Sequence, residues 1–142
     1  MLTVELKDVS GQVPVQFDIL PTSALPESVA QSQFELAKLL ATAIGLQYYF
    51  LVTTDRIRGW RLSDGTKFFD EPTVSMLEPY AGSTEPILRA RAAYLAALTQ
   101  AWAADLASHW KSLKGPAPGE RELGPEVLEV IRGAERRRSR AS

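Results

Sequence analysis

From Leu2 the chain alternates. Leu2, Val4 and Leu6 share one parity, and Thr3, Glu5 and Lys7 share the other. That pattern predicts a strand with one buried face. A turn with Ser10 and Gly11 leads to a second alternating run, in which Val13, Val15, Phe17 and Ile19 oppose Gln12, Gln16 and Asp18. The short connection predicts a hairpin. Pro14 has no amide hydrogen, which places it at the start of that strand or on an edge. After a loop at 21–26, Val29, Phe34, Leu36, Ala37, Leu40, Ala41 and Ile44 recur at helical spacing, with Leu39 and Ala43 widening the stripe. A helix is predicted there, ended by Gly45. The aromatic and β-branched run 47–53 reads as the central strand, and 57–62 returns beside it. Ser63-Asp64-Gly65 is a hairpin turn ahead of a short edge strand at 66–69. Residues 70–84, with Pro72, Pro79 and Gly82, read as a loop containing one helical turn around Val74 to Leu77.

The longest apolar periodicity follows. Ile87, Leu88, Tyr94, Leu95, Leu98, Trp102, Leu106, Trp110 and Leu113 predict one helix from Thr84 to Lys114, stopped by Gly115-Pro116. Beyond it the chain is dominated by proline, glycine and charge, with a weak helical segment at 126–131. The expected fold class is α+β: a small mixed or antiparallel sheet of four to five strands packed by two main helices. The expected organisation is a single domain over 1–115 and a polar tail over 116–142 that does not pack.

Composition narrows the function classes. The chain has 142 residues, 45% of them apolar, enough to bury a core without a staple. With no cysteine there is neither a disulfide framework nor a thiolate nucleophile, and one histidine leaves little for zinc. The N-terminus lacks the basic-then-apolar pattern of a signal peptide, and no apolar run is long enough to span a bilayer, so cytoplasmic residence is expected. The net charge of -1 conceals an asymmetry. Residues 132–142 hold five arginines against Glu135, a net +4, which leaves the remainder at -5. A whole-domain nucleic-acid binder usually carries a basic body instead.

Candidate chemistry begins at Glu5-Leu6-Lys7. Two residues apart on a strand, the carboxylate and the ammonium lie side by side, an arrangement in which Glu5 binds a magnesium ion and Lys7 polarises a water. Asp18 is the early acid best placed to serve as a second ligand and catalytic carboxylate. The plainer reading is a solvated strand face. Arg56, Arg58, Arg61 and Lys67 gather near the second hairpin, where they either contact nucleic-acid phosphates or form a charged edge that discourages strand pairing. Trp60 among them either stacks on a base or is buried against a helix. His109 reads as a packed or boundary histidine, with Asp105 as its neighbour on the same helix face. Trp102 and Trp110 continue the stripe.

The order of these elements carries a resemblance. A Glu-x-Lys strand, a second strand, a helix, and then Tyr48-Tyr49-Phe50-Leu51-Val52-Thr53-Thr54-Asp55-Arg56-Ile57-Arg58-Gly59-Trp60-Arg61-Leu62 resemble the core of the PD-(D/E)xK nucleases, especially the nuclease domain of type I restriction subunits. It covers about residues 3–69. The resemblance implies a restriction-endonuclease-like, magnesium-dependent, DNA-binding domain. The family carries a further metal-binding aspartate on a strand before Glu-x-Lys, and only four residues precede Glu5 here. The implied function is therefore a nuclease-like domain that is degenerate or completed by a protein subunit. The alternatives are a non-enzymatic interaction or assembly module whose long 84–114 helix either covers a sheet or pairs with a copy of itself in a homo-oligomer, and a small-molecule-binding domain near Glu5 and Lys7.

Overall fold

The computed structural model describes the backbone of residues 1–141 and the side chains of residues 1–135. Five strands form one sheet in sequence order: β1 Leu2–Leu6, β2 Val15–Ile19, β3 Tyr48–Val52, β4 Arg56–Arg61 and β5 Lys67–Pro72. β2 and β3 pair in parallel, and every other neighbouring pair is antiparallel, so the sheet is mixed. The parallel step requires a crossover, supplied by α1, Glu27–Ile44. Gly45 ends α1 in the left-handed region, at φ 74°, as its position in the sequence predicted.

Around the sheet stand six helical segments among the described residues, where the apolar periodicity predicted two main helices. They are α1, α2 Thr73–Ala81, α3 Glu85–Leu88, α4 Ala92–Ser108, α5 Glu120–Leu123 and α6 Pro125–Ala141. The predicted 84–114 helix is interrupted after Leu88 and stops at Ser108, because His109 adopts φ 54° and its N–H turns back to the Asp105 carbonyl. Trp110 and Leu113, read as stripe residues, are exposed beyond that stop.

The larger core lies on one face of the sheet. Phe17, Phe50 and Phe69 meet Trp102, Leu95, Leu98 and Leu106 of α4, all buried as the stripe predicted for that helix. Gly59 sits beneath this aromatic layer; a Cβ there would lie 2.6 Å from the Phe50 ring. The smaller core lies on the opposite face, where Ala30, Phe34 and Ala41 of α1 cover Tyr49, Leu51 and Trp60. Phe34 and Trp60 stack at 5.3 Å.

Residues 116–135 depart from the expected unpacked tail. Ala117, Leu123, Val127, Leu128, Ile131 and Ala134 are buried in the larger core. The Trp102 indole N–H donates to the Pro118 carbonyl at 2.7 Å, fixing the segment against α4. Val127, Leu128, Ile131 and Ala134 follow helical spacing, so a narrow apolar stripe is carried within a charged composition. The side chains of Arg136, Arg137, Arg138 and Arg140, which make this end basic in sequence, lie outside the described residues.

Candidate functional site

The sheet register sorts the sequence-predicted site residues. On the α1 face, Thr3, Asp18, Leu51, Arg58 and Asp70 form one row across the five strands. Glu5, Gln16, Tyr49, Trp60 and Lys67 form the next. A bulge between Gly59 and Trp60 adds a residue to β5, which puts both Lys67 and Asp70 on this face, three positions apart.

Glu5 is exposed and pairs with Gln16, while Lys7 is exposed just beyond the end of β1. Asp18 is buried one row away. Its oxygens accept from Thr3 Oγ1 at 2.8 Å, Gln16 Nε2 at 3.1 Å and the Tyr49 hydroxyl at 2.7 Å. Burial, and then this bond to Asp18, push the Tyr49 phenol far above its usual range. Asp18 thus anchors strands β1, β2 and β3 to one another.

The magnesium expectation is corrected here. Among the described residues no group of three or more His, Cys, Asp or Glu side chains is placed to hold a metal ion. Asp18 is committed to three donors, and Glu5 is exposed one row away from it. The strand that leads into α1 is β2, whose paired residues on this face are Gln16 and Asp18. Glu5 lies one strand further out.

The four basic residues of the hairpin have internal partners. Arg56 binds Asp70 at 2.7 Å, Lys67 binds both Asp70 at 2.9 Å and Glu27 at 2.6 Å, and Arg61 binds Asp64 at 2.9 Å. Arg58 is only 5% exposed; it reaches Glu27 at 3.2 Å and the Leu25 carbonyl at 3.3 Å. The bond from Lys67 opposes the burial of Glu27 and, with Arg58, holds its carboxyl below the usual range. Burial raises Asp70, but Lys67 and Arg56 outweigh it and lower the carboxyl overall. This network ties the start of α1 to β4 and β5. Trp60 is buried against α1, and its indole N–H donates to Gln31 Oε1 at 3.2 Å.

A second polar cluster closes the end of α4. Buried Asp105 accepts from the Tyr80 hydroxyl at 2.6 Å, from the Lys111 and Ser112 amides at 2.9 Å, and from Ser112 Oγ at 2.7 Å. His109 Nε2 bonds Glu120 Oε1 at 2.5 Å, not Asp105, and Glu120 also accepts the Ala117 amide at 3.1 Å. The spacing of Asp105 and His109 suggested the wrong partner because the helix ends between them and their side chains diverge.

Comparison with known proteins returns no relatives. No family model matches the chain, no curated protein matches it, and no solved structure matches the fold. Nor is any helix among the described residues long and apolar enough to cross a membrane.

Two surface features remain. An open cleft of about 660 Å³ lies between the end of α1 and strands β3 and β4, lined by Gln12, Lys38, Thr42, Tyr48, Arg61 and Ser63. Its two cations are already paired, Lys38 with Glu35 at 3.4 Å and Arg61 with Asp64. The second feature is α1 itself. Val29, Leu36, Leu39 and Leu40 are 40%, 58%, 79% and 65% exposed. The Glu27 and Gln31 side of α1 bonds to β4 and β5. At about 100° per residue, Val29, Leu36 and Leu40 lie about 120° round the helix from the sheet-facing Ala30, Phe34 and Ala41, so they point outward to solvent on the flank away from Glu27 and Gln31. On that side Thr3 and Glu5 are exposed. The unusual width of the α1 stripe was the signal in the sequence; which part of it meets the sheet was not.

Proposed function

We propose that this chain is a non-catalytic protein-interaction module whose recognition surface is the free flank of α1 with the adjoining face of β1 and β2. The observation that carries this reading is the exposure of Val29, Leu36, Leu39 and Leu40 on one helix. Their exposed surfaces sum to on the order of 400 Å², the size of the largest apolar patch on a typical monomer, which is often functional. The long helix expected to serve as the contact is α4, and its Leu95, Leu98, Trp102 and Leu106 are spent on the core. Cleavage through Glu5, Lys7 and Asp18 is not part of this proposal, because the carboxylates do not gather into a ligand set. Contact of Arg56, Arg58, Arg61 or Lys67 with phosphate would have to displace existing carboxylate partners.

The test uses the wild-type chain and a Leu36→Glu/Leu40→Glu variant as baits in an extract of the native cells. The expected result is at least one polypeptide, a further copy of the chain included, that wild type retains and the variant loses, with unchanged circular dichroism. Identical retention by both would overturn the reading.

A further inference from the structure

We propose that the cleft at the end of α1 is a binding site for a small polyhydroxylated anion, a sugar phosphate or a sugar acid. The site lies apart from the recognition surface on the flank of α1 and stands independently of it.

The way the cleft is built is the first support. Four separate stretches of chain converge on it: the β1–β2 connection, the C-terminal part of α1, the start of β3 and the end of β4. Buried Ala41, Leu46 and Tyr48, with half-buried Leu62, give it an apolar lining. Gln12 is seated by the cap of α1. Gly45 holds the left-handed conformation that ends the helix, and a Cβ on it would lie 2.8 Å from the Gln12 side chain. The volume of about 660 Å³ lies within the range of about 300–1,000 Å³ usual for small-molecule sites.

The polar lining selects the ligand class. Gln12, Thr42, Gln47 and Ser63 each bring both a donor and an acceptor to the cleft. None of these four side chains bonds to another described residue. A ligand hydroxyl also donates and accepts, so amides and hydroxyls drawn from four stretches of chain match a run of hydroxyls.

Charge supplies the anion. The first 131 residues carry a net -5. Yet the charged residues lining the cleft are Lys38 and Arg61, with no acid among them. Their internal partners stand outside the lining and are weakly held. Lys38 with Glu35 at 3.4 Å and Arg61 with Asp64 at 2.9 Å each join residues three apart, with all four side chains well exposed. Exposed pairs of this kind contribute little and exchange readily. Asp64 engages Nη1 of Arg61, which leaves Nε and Nη2 as further donors for a phosphate or carboxylate. The guanidinium is steadied by Phe68, whose ring centre lies 5.8 Å away, and Arg61 pairs with Tyr48 across β3 and β4.

The test follows the amide resonances of the nitrogen-labelled full chain during titration with ribose phosphate, gluconate, free ribose and inorganic phosphate. Ribose phosphate and gluconate, at up to about 10 mM, are expected to shift the amides of Gln12, Thr42, Gln47 and Ser63. Free ribose and inorganic phosphate each offer half of the recognised chemistry and should bind at least about 10-fold more weakly. Arg61→Gln should weaken ribose phosphate and gluconate by at least about 10-fold through the loss of a charge-assisted bond. Thr42→Trp, which fills the cleft, should abolish binding. Lys111→Gln makes the same charge change at an exposed lysine outside the lining and should leave binding intact. Circular dichroism checks that each variant is folded. Absence of any shift at the cleft amides with ribose phosphate and gluconate would overturn the inference. So would equal affinity for either fragment alone, or binding that survives both Arg61→Gln and Thr42→Trp.

Discussion

Asp18, a catalytic candidate in the sequence, is a hydrogen-bond hub between three strands in the structure. Its carboxylate is the common acceptor for Thr3, Gln16 and Tyr49. Asp18→Ala would strand the buried Tyr49 hydroxyl, and chemical denaturation should show a loss of about 1–3 kcal/mol. In the Asp18→Ala background, Tyr49→Phe should cost less than it does alone, a coupling that a double-mutant cycle reads directly. Asp105 plays the same part at the end of α4. Burial raises its carboxyl, yet the bonds from Tyr80, Ser112 and Lys111 prevail and hold it below the usual range. For Glu120 burial is likewise outweighed, by His109 and the Ala117 amide. Such carboxylates stabilise the fold above their ordinary values of about 4, and that stability is lost as pH falls through the lower folded values. Melting temperature should therefore drop steeply on acidification below about pH 4, and Asp105→Asn should be less stable at neutral pH with a shallower acid loss.

Individual elements differ in how much of them the sequence made visible. Strict alternation in β1 and β2 has one physical cause, a sheet with different surroundings on its two faces, so both strands and their hairpin could be read directly. Gly45 ended α1 where a left-handed cap was needed. The 84–114 periodicity concealed two breaks, because apolar spacing continues through Trp110 and Leu113 although the backbone turns at His109. Residues 116–135 were hidden for the opposite reason: their few apolar side chains are diluted by charge, yet each is placed to meet α4 or the sheet. Ile131→Ala should consequently cost about 2–5 kcal/mol in a denaturation experiment, where an unpacked tail would show no change. Gly59 permits the aromatic layer to lie flat on β4. Gly59→Ala should destabilise by about 1–3 kcal/mol, since an added Cβ would press on both the Phe50 ring and the Phe69 side chain and force one of them to shift.

At the scale of the whole molecule, the candidate site was the least legible feature. Glu5, Lys7 and Asp18 share a region of sequence but not a chemical environment, because Asp18 is buried among its hydrogen-bond donors while Glu5 and Lys7 are exposed. The exposed flank of α1 was present in the sequence as excess width. Only the bonds of Glu27 and Gln31 to β4 and β5 reveal which side of that width is unused. One arrangement also governs when this fold can form. α4 and α6 both touch β1 on the face away from α1, so β1 is synthesised long before the helix that completes its roof. Until α6 emerges, Val4 and Leu6 lack their full cover, and nascent chains arrested after residue 115 should be cut by protease within β1 while released chains resist.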